Sequence, residues 1–148
     1  MIKDNQVEIL FIEDNQHEAE LTIRSLKKHN LASNLKHIAD GPDALDFIFS
    51  RGVYSERRNS QNPKLVLLDL KLPKIGGLEI LRQIKTNELT KIIPVVVLTS
   101  SKEEKDVIES YRLGVNSYIV KPVNFESLSK AVAELGFYWL LLNHNSYS

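Results

Sequence analysis

Lys64-Leu65-Val66-Leu67-Leu68-Asp69-Leu70-Lys71-Leu72-Pro73-Lys74-Ile75-Gly76-Gly77 is the stretch that decides how this chain folds. Leu65 to Leu68 is apolar without alternation, and such a strand needs both faces covered. A parallel sheet flanked by helices meets that need. The strand ends on a lone carboxylate, Asp69, before a loop with Pro73 and a Gly-Gly pair. Doubly wound sheets place ligands and chemistry at this C-terminal edge.

The flanking sequence repeats the unit. Val7 to Glu13 reads as a first strand, and Asn15 to about Asn30 as a helix with Ala19, Ile23 and Leu26 on one face. Asn15 followed by Glu18 is a capping signal. Leu35 to Ala39 is a second strand. Gly41-Pro42 opens a helix with Ala44, Leu45 and Ile48 inward. After Asp69, Gly77 to Asn87 is a helix with Leu78, Leu81 and Ile84 inward, and Ile93 to Thr99 is a fourth strand. Lys102 to Leu113 is a helix closed by Gly114. Ser117 to Lys121 is a fifth strand, and Asn124 to about Leu142 is a last helix. Strict alternation of this kind predicts an α/β fold, a doubly wound five-stranded parallel sheet with five helices. The polar connection from Gly52 to Pro63 exceeds the usual length, which points to a functional or mobile segment. Its Arg57 and Arg58, with Arg51 and Lys64, read as a solvated face.

The 148 residues fit one domain, with a core from about 7 to 135 and an extended last helix and tail over 136–148. Lys plus Arg and Asp plus Glu number 19 each, so no net charge favours nucleic acid or an anionic membrane as partner. The absence of Cys excludes disulfides and thiol chemistry. No apolar run suits a transmembrane helix and the N-terminus lacks a signal-peptide layout, so a cytoplasmic location is expected. His17, His29, His37 and His144 match no metal-ligand spacing and read as surface residues.

Strand ends converge on one edge of a parallel sheet. Here they carry Glu13 and Asp14, then Asp69, Thr99 and Lys121. A single Asp after a strand is most often a turn former or a helix cap. Five such residues at strand ends together argue for a site. Three clustered carboxylates repel unless a cation lies among them, and oxygen-only ligands favour a hard ion such as Mg²⁺. Lys121 and Thr99 remain to bind an anionic group. A carboxylate nucleophile beside Mg²⁺, Lys and a hydroxyl is suited to phosphoryl transfer through an acyl phosphate.

At this point the chain resembles the receiver domains of two-component response regulators. The matching pieces are Leu10 to Asp14, Ala39 to Leu45, Leu67 to Pro73, Gly76-Gly77, Val96 to Ser100 and Gly114 to Pro122, in family order. The resemblance implies a flavodoxin-like sheet of strand order 2-1-3-4-5. It implies that Asp69 accepts phosphoryl from a sensor histidine kinase, and that the chain catalyses only its own phosphorylation and dephosphorylation. Asp14 would bind Mg²⁺ directly, Glu13 directly or through a water, with Asp69 and the Lys71 backbone carbonyl as further ligands. Thr99 and Lys121 would bind the phosphoryl group, Tyr118 would be the switch aromatic, and the bond before Pro122 would be cis. Glu13 departs from the commoner Asp. The Lys71 side chain either lies over the phosphate and sets its lifetime or is a solvated loop lysine.

The long connection and the tail Phe137-Tyr138-Trp139-Leu140-Leu141-Leu142 resemble the stand-alone regulators that accompany bacterial phytochromes. The thirteen residues after Leu135 are too few for an output domain, so output is expected through contacts with a downstream protein. An apolar tail marks an interface, which predicts a homodimer through Phe137, Tyr138, Trp139 and Leu141, or else a tail folded over its own domain. Rival readings fit less well. An Asp-based phosphatase needs a second acid where Lys71 stands. A flavin-binding domain needs a hydroxyl- and Gly-rich loop where Glu13-Asp14-Asn15-Gln16 would repel phosphate. A docking module that no longer cycles would not need the complete site.

Overall fold

The computed structural model describes residues 7–28, 34–57 and 62–121, together with residues 126, 127, 130, 131 and 134. Five strands form one parallel sheet: β1 (Ile9–Ile12), β2 (Leu35–Ile38), β3 (Leu65–Leu68), β4 (Val95–Thr99) and β5 (Ser117–Val120). Their order is β2-β1-β3-β4-β5, so the chain reverses direction across the sheet between β1 and β3. Four helices connect them among the described residues: α1 (Gln16–Lys28), α2 (Gly41–Ile48), α3 (Gly77–Thr86) and α4 (Glu104–Arg112). The expected fifth helix is represented by the five described positions beyond Lys121, all helical, with Ala131 buried. Pro122 and the tail residues Phe137, Tyr138, Trp139 and Leu141 lie outside the described residues.

Alternation along the strands divides the core in two. Leu10, Ile12, Val66, Leu68, Val95 and Val97 face α2 and α3, which supply Ala44, Leu45, Phe47, Ile48, Ile80, Leu81 and Ile84. Ile9, Phe11, Leu65, Leu67, Val96 and Leu98 face the other way, onto Ala19 and Leu26 of α1. The apolar runs of β1, β3 and β4 are therefore what two covered faces require. The inward stripe of α3 is Ile80, Leu81 and Ile84, while Leu78 is only half-buried.

β1, β2, β3 and β5 end one residue earlier than the sequence suggests, while β4 ends at Thr99 as expected. Glu13, Asp69 and Lys121 still donate their N–H groups to the neighbouring strands, to Ile38, Ile12 and Thr99 at 3.2, 3.1 and 2.8 Å. Beyond those bonds the chain leaves the ladder. Their side chains are thus fixed at the root by the sheet and released at the tip into the loops.

The long connection is structured where it is described. Gly52–Arg57 forms a 3-10 helix. Arg57 is no part of a solvated face: its guanidinium is buried, stacks 3.7 Å from the Phe47 ring centroid and donates to the Phe47 carbonyl. The planar cation covers an aromatic face and donates to one carbonyl in the last turn of α2, that of Phe47. Arg51 and Lys64 do stay at the surface, paired with Asp46 and Glu8.

Candidate functional site

Each expected residue within the described range reaches the C-terminal edge of the sheet. Glu13 leaves β1, Asp69 leaves β3, Thr99 ends β4 and Lys121 leaves β5. Asp14 follows Glu13 at the mouth of the site and is exposed. Glu13 is 1% exposed and Asp69 5%. One oxygen from each of Glu13, Asp14 and Asp69 falls within 4.8 Å of the others.

A short backbone sequence locks this edge. The Asn15 side-chain oxygen caps α1 by accepting the Glu18 N–H at 2.9 Å, as the sequence signal implies. The reciprocal half of the capping box is rerouted. Glu13, not Glu18, accepts the Asn15 N–H, at 3.3 Å. On the β3 side, the Lys71 N–H donates to Asp69 Oδ1 at 3.2 Å and orients its carboxylate. The Lys71 side chain itself is exposed. Gly77, at the start of α3, lies so close to the Asp69–Leu70 peptide that a Cβ there would meet the Asp69 carbonyl oxygen at 2.3 Å. Only glycine lets α3 begin against this loop.

Lys121 is the central counter-charge. Its ammonium contacts Glu13, Glu18 Oε2 at 2.7 Å and Asp69 Oδ2 at 3.5 Å. One ammonium faces the metal trio's two buried acids and one further acid, so negative charge is in excess. Burial pushes the Glu13 carboxyl up, the Lys121 hydrogen bond opposes this, and the neighbouring Asp69 adds to the rise, leaving Glu13 at about 7. Burial alone would depress Lys121. Its hydrogen bonds to Glu13 and Glu18 and the charge of Asp69 outweigh that and hold it above the ordinary lysine range.

The donor set fits a divalent cation. Three carboxylates converge with too little positive charge to neutralise them, and every ligand is a hard oxygen. Glu13, Asp14 and Asp69 would hold the ion. The part of Lys71 that the structure ties to the site is its N–H.

Thr99 is fully buried, and its Oγ1 accepts the Ser101 N–H at 3.3 Å. Ser101 is a junction. Its hydroxyl donates to Asp106 of α4 at 2.5 Å, and its carbonyl accepts from the Tyr118 hydroxyl at 3.0 Å. Burial raises the Tyr118 phenol, only partly offset by that hydrogen bond, with Asp106, Glu103 and Asp69 adding to the rise. Tyr118 is therefore a neutral donor to the loop after β4.

Two contributors escaped sequence reading. Glu18 reads as part of a helix cap, and its tertiary role appears only when the Lys121 side chain reaches it across the sheet edge. His37 is half-buried rather than a surface residue; it packs against Phe11 at 5.5 Å between centroids and its Nε2–H donates to the Glu13 carbonyl at 2.7 Å. The placement of His37 in an otherwise short strand beside β1 was the available signal.

A family model described as the response regulator receiver domain matches residues 9–133. The response regulator Rcp1 of Synechocystis is 43% identical over 132 residues, covering 89% of this chain and 88% of that one. A solved manganese-bound form of Rcp1 superposes with a TM-score of 0.72, covering 89% of this chain and 93% of the other at 42% identity. A probable methanogenesis regulatory protein, FilR2 of Methanothrix harundinacea, is 40% identical, covering 93% of this chain and 86% of its own. The solved phosphorylated cyanobacterial phytochrome response regulator RcpA is 36% identical, with a TM-score of 0.74, covering 90% of this chain and 94% of that one.

Proposed function

This chain belongs to the response regulator receiver domain family, and on that premise we propose that it accepts a phosphoryl group from a histidine kinase onto Asp69. The observation that carries the reading is the meeting of Glu13, Asp14 and Asp69 with Lys121 at one sheet edge. The similarity to a phosphorylated and a manganese-bound relative supports it.

Asp69 supplies the nucleophile. Its carboxylate oxygen attacks the phosphorus of the kinase phosphohistidine, the P–N bond breaks, and the imidazole leaves with the bonding pair. An acyl phosphate remains on Asp69. A bound Mg²⁺ would offset charge on the carboxylates and the phosphoryl oxygens. Lys121, already at hydrogen-bond distance from Asp69, offers its ammonium to a phosphoryl oxygen. The Lys71 N–H keeps the acceptor carboxylate oriented. Apart from its own phosphorylation and dephosphorylation, the chain needs no catalysis of its own.

Thr99 connects chemistry to surface. A hydroxyl that turns to the phosphoryl group gives up the Ser101 N–H. Ser101 in turn carries the Tyr118 hydroxyl and Asp106 of α4. Phosphorylation thereby biases the β4–α4 loop and the α4–β5 face, which changes the fit to a downstream protein.

The kinase we propose is a phytochrome-type sensor, supported by the likeness to RcpA. The likeness to FilR2 favours a second reading, in which the kinase serves a metabolic regulator. Incubation with each class of phosphorylated kinase separates them by transfer rate. For assembly we propose a homodimer through Phe137, Tyr138, Trp139 and Leu141, tested by sedimentation of the whole chain beside one ending at Leu135. A monomer in both cases removes it.

The central test is intact-mass spectrometry after incubation with acetyl phosphate, with and without Mg²⁺, beside Asp69→Asn. One phosphoryl adduct is expected only with Mg²⁺ and only with Asp69 in place. An unmodified wild-type chain under both acetyl phosphate and phosphorylated kinase would overturn the reading in favour of a docking module.

A further inference from the structure

We propose that Glu18 is a positioning residue that holds the Lys121 ammonium on the α1 side of the site, and that the phosphoryl group takes its place. This rests on Asp69 being the phosphoacceptor.

An ammonium has three donors. All three directions are occupied here by carboxylates, from Glu13, Glu18 and Asp69. They are not equivalent. Glu18 Oε2 lies at 2.7 Å, a charge-assisted bond of full strength, whereas Asp69 Oδ2 lies at 3.5 Å, the outer limit of one. The ammonium therefore rests nearer the base of α1 than the acceptor it serves.

The anchors also differ in freedom. The Glu13 side chain is 2% exposed and is tied by the Asn15 N–H, so it cannot leave. The Glu18 side chain is 42% exposed, on the first turn of α1, with open solvent to swing into. Its backbone N–H stays fixed by Asn15 whatever its carboxylate does. Glu18 lies outside the trio able to hold a metal. Among the described partners of Lys121, its carboxylate is thus the one that can be exchanged for a phosphoryl oxygen without dismantling the cation site or the helix cap.

Exchange has a direction. Before transfer, the Glu18 contact draws Lys121 away from the incoming anion, and it must lengthen for the ammonium to reach a phosphoryl oxygen. Removing it lowers the cost of that move. A partly exposed ion pair of this kind supports a rise of about two- to fivefold in the rate of phosphorylation. The same loss also frees the ammonium in the resting, metal-free chain.

Two variants separate holding from simple charge. Glu18→Gln keeps the length and removes the charge. Glu18→Asp keeps the charge and the helix N-terminal preference for an acid but is one methylene too short. Phosphorylation by acetyl phosphate with Mg²⁺ is followed by intact mass, and the ¹⁵N-bound protons of the Lys121 ammonium are followed by NMR without metal. Both variants are expected to phosphorylate about two- to fivefold faster and to lose exchange protection of the ammonium. Acceleration in Glu18→Gln alone overturns the proposal, because long-range charge would then suffice. Unchanged ammonium protection in both variants overturns it as well. A wild-type chain that takes up no phosphoryl group refutes the proposed function instead, and the NMR result alone then decides whether Glu18 holds Lys121.

Discussion

Replacing Gly77 with alanine tests how tightly α3 is seated on the loop that follows Asp69. The added Cβ would stand 2.3 Å from the Asp69 carbonyl oxygen and 2.5 Å from the Leu70 Cα. Both obstacles are backbone, so no side chain can rotate out of the way. Ordinary contact begins at 3.4 Å, which requires helix and loop to separate by about 1 Å. That separation also strains the bond from the Gly77 N–H to the Leu70 carbonyl, 2.9 Å long. Overpacking of this kind costs about 1–3 kcal/mol and the weakened hydrogen bond about 1 more. The expected destabilisation is about 2–4 kcal/mol, or a fall of about 5–15 °C in Tm for a chain of this size. Gly76→Ala is the internal control. Its Cβ would find nothing nearer than the Leu70 carbonyl at 3.9 Å, and its φ of −70° suits alanine. It should stay within about 0.5 kcal/mol of wild type. Thermal and urea unfolding of both variants, with Mn²⁺ titration to report on Asp69, gives the comparison. If Gly77→Ala melts together with Gly76→Ala and binds metal as wild type, the close seating of α3 on Asp69 is refuted.

Arg57→Ala should cost about 2–3 kcal/mol in urea unfolding, since it uncovers the Phe47 ring and takes the charged donor from the Phe47 carbonyl, which keeps the longer bond from the Ser50 N–H at 3.3 Å; Arg57→Lys should recover less than half, lacking the planar fork. Glu13 must ionise to bind a cation, and with its pKa raised from 4.5 to about 7, Mg²⁺ affinity should climb between pH 6 and pH 8 by calorimetric titration. A pH-independent affinity across that interval would show that Glu13 is already charged. The same shift makes the folded, metal-free chain bind this proton more tightly than the unfolded one. Its contribution to stability is therefore fully present below pH 4.5 and lost as pH rises through about 7, an effect that Glu13→Gln should flatten in urea midpoints. Tyr118→Phe removes the bond to the Ser101 carbonyl, and should raise amide exchange at residues 100–103 by about 2–10-fold without changing phosphorylation of Asp69.

The parts of this molecule that sequence reveals are those fixed by local pattern. Leu65 to Leu68 and Val95 to Leu98 are apolar without alternation because both sheet faces are covered, and that is visible without coordinates. Asp69, Thr99 and Lys121 stand out because each ends such a run. What stayed hidden depends on which elements become neighbours. Arg57 looks like one more charge in a polar connection, and only the turn of the 3-10 helix brings it over Phe47. Glu18 looks like half of a capping box, and only the Lys121 side chain, reaching across the C-terminal edge of the sheet, gives it a partner distant in sequence. The inward stripe of α3 centres on Ile80, Leu81 and Ile84, with Leu78 at its edge and only partly buried against the core.

The order of these residues along the chain also imposes a timetable on synthesis. Lys121 lies 52 residues beyond Asp69 and 108 beyond Glu13. At about 5–20 residues per second, the ribosome makes Asp69 roughly 3–10 s before Lys121. During that interval the nascent chain carries Glu13, Asp14 and Asp69 without their ammonium. A fragment ending at Asn116 should therefore take up no phosphoryl group from acetyl phosphate, and uptake by it would show that Lys121 is dispensable. On the proposed function, a stalled or truncated chain would keep Asp69 yet lack the ammonium that a phosphoryl group needs, and would stay silent to a kinase.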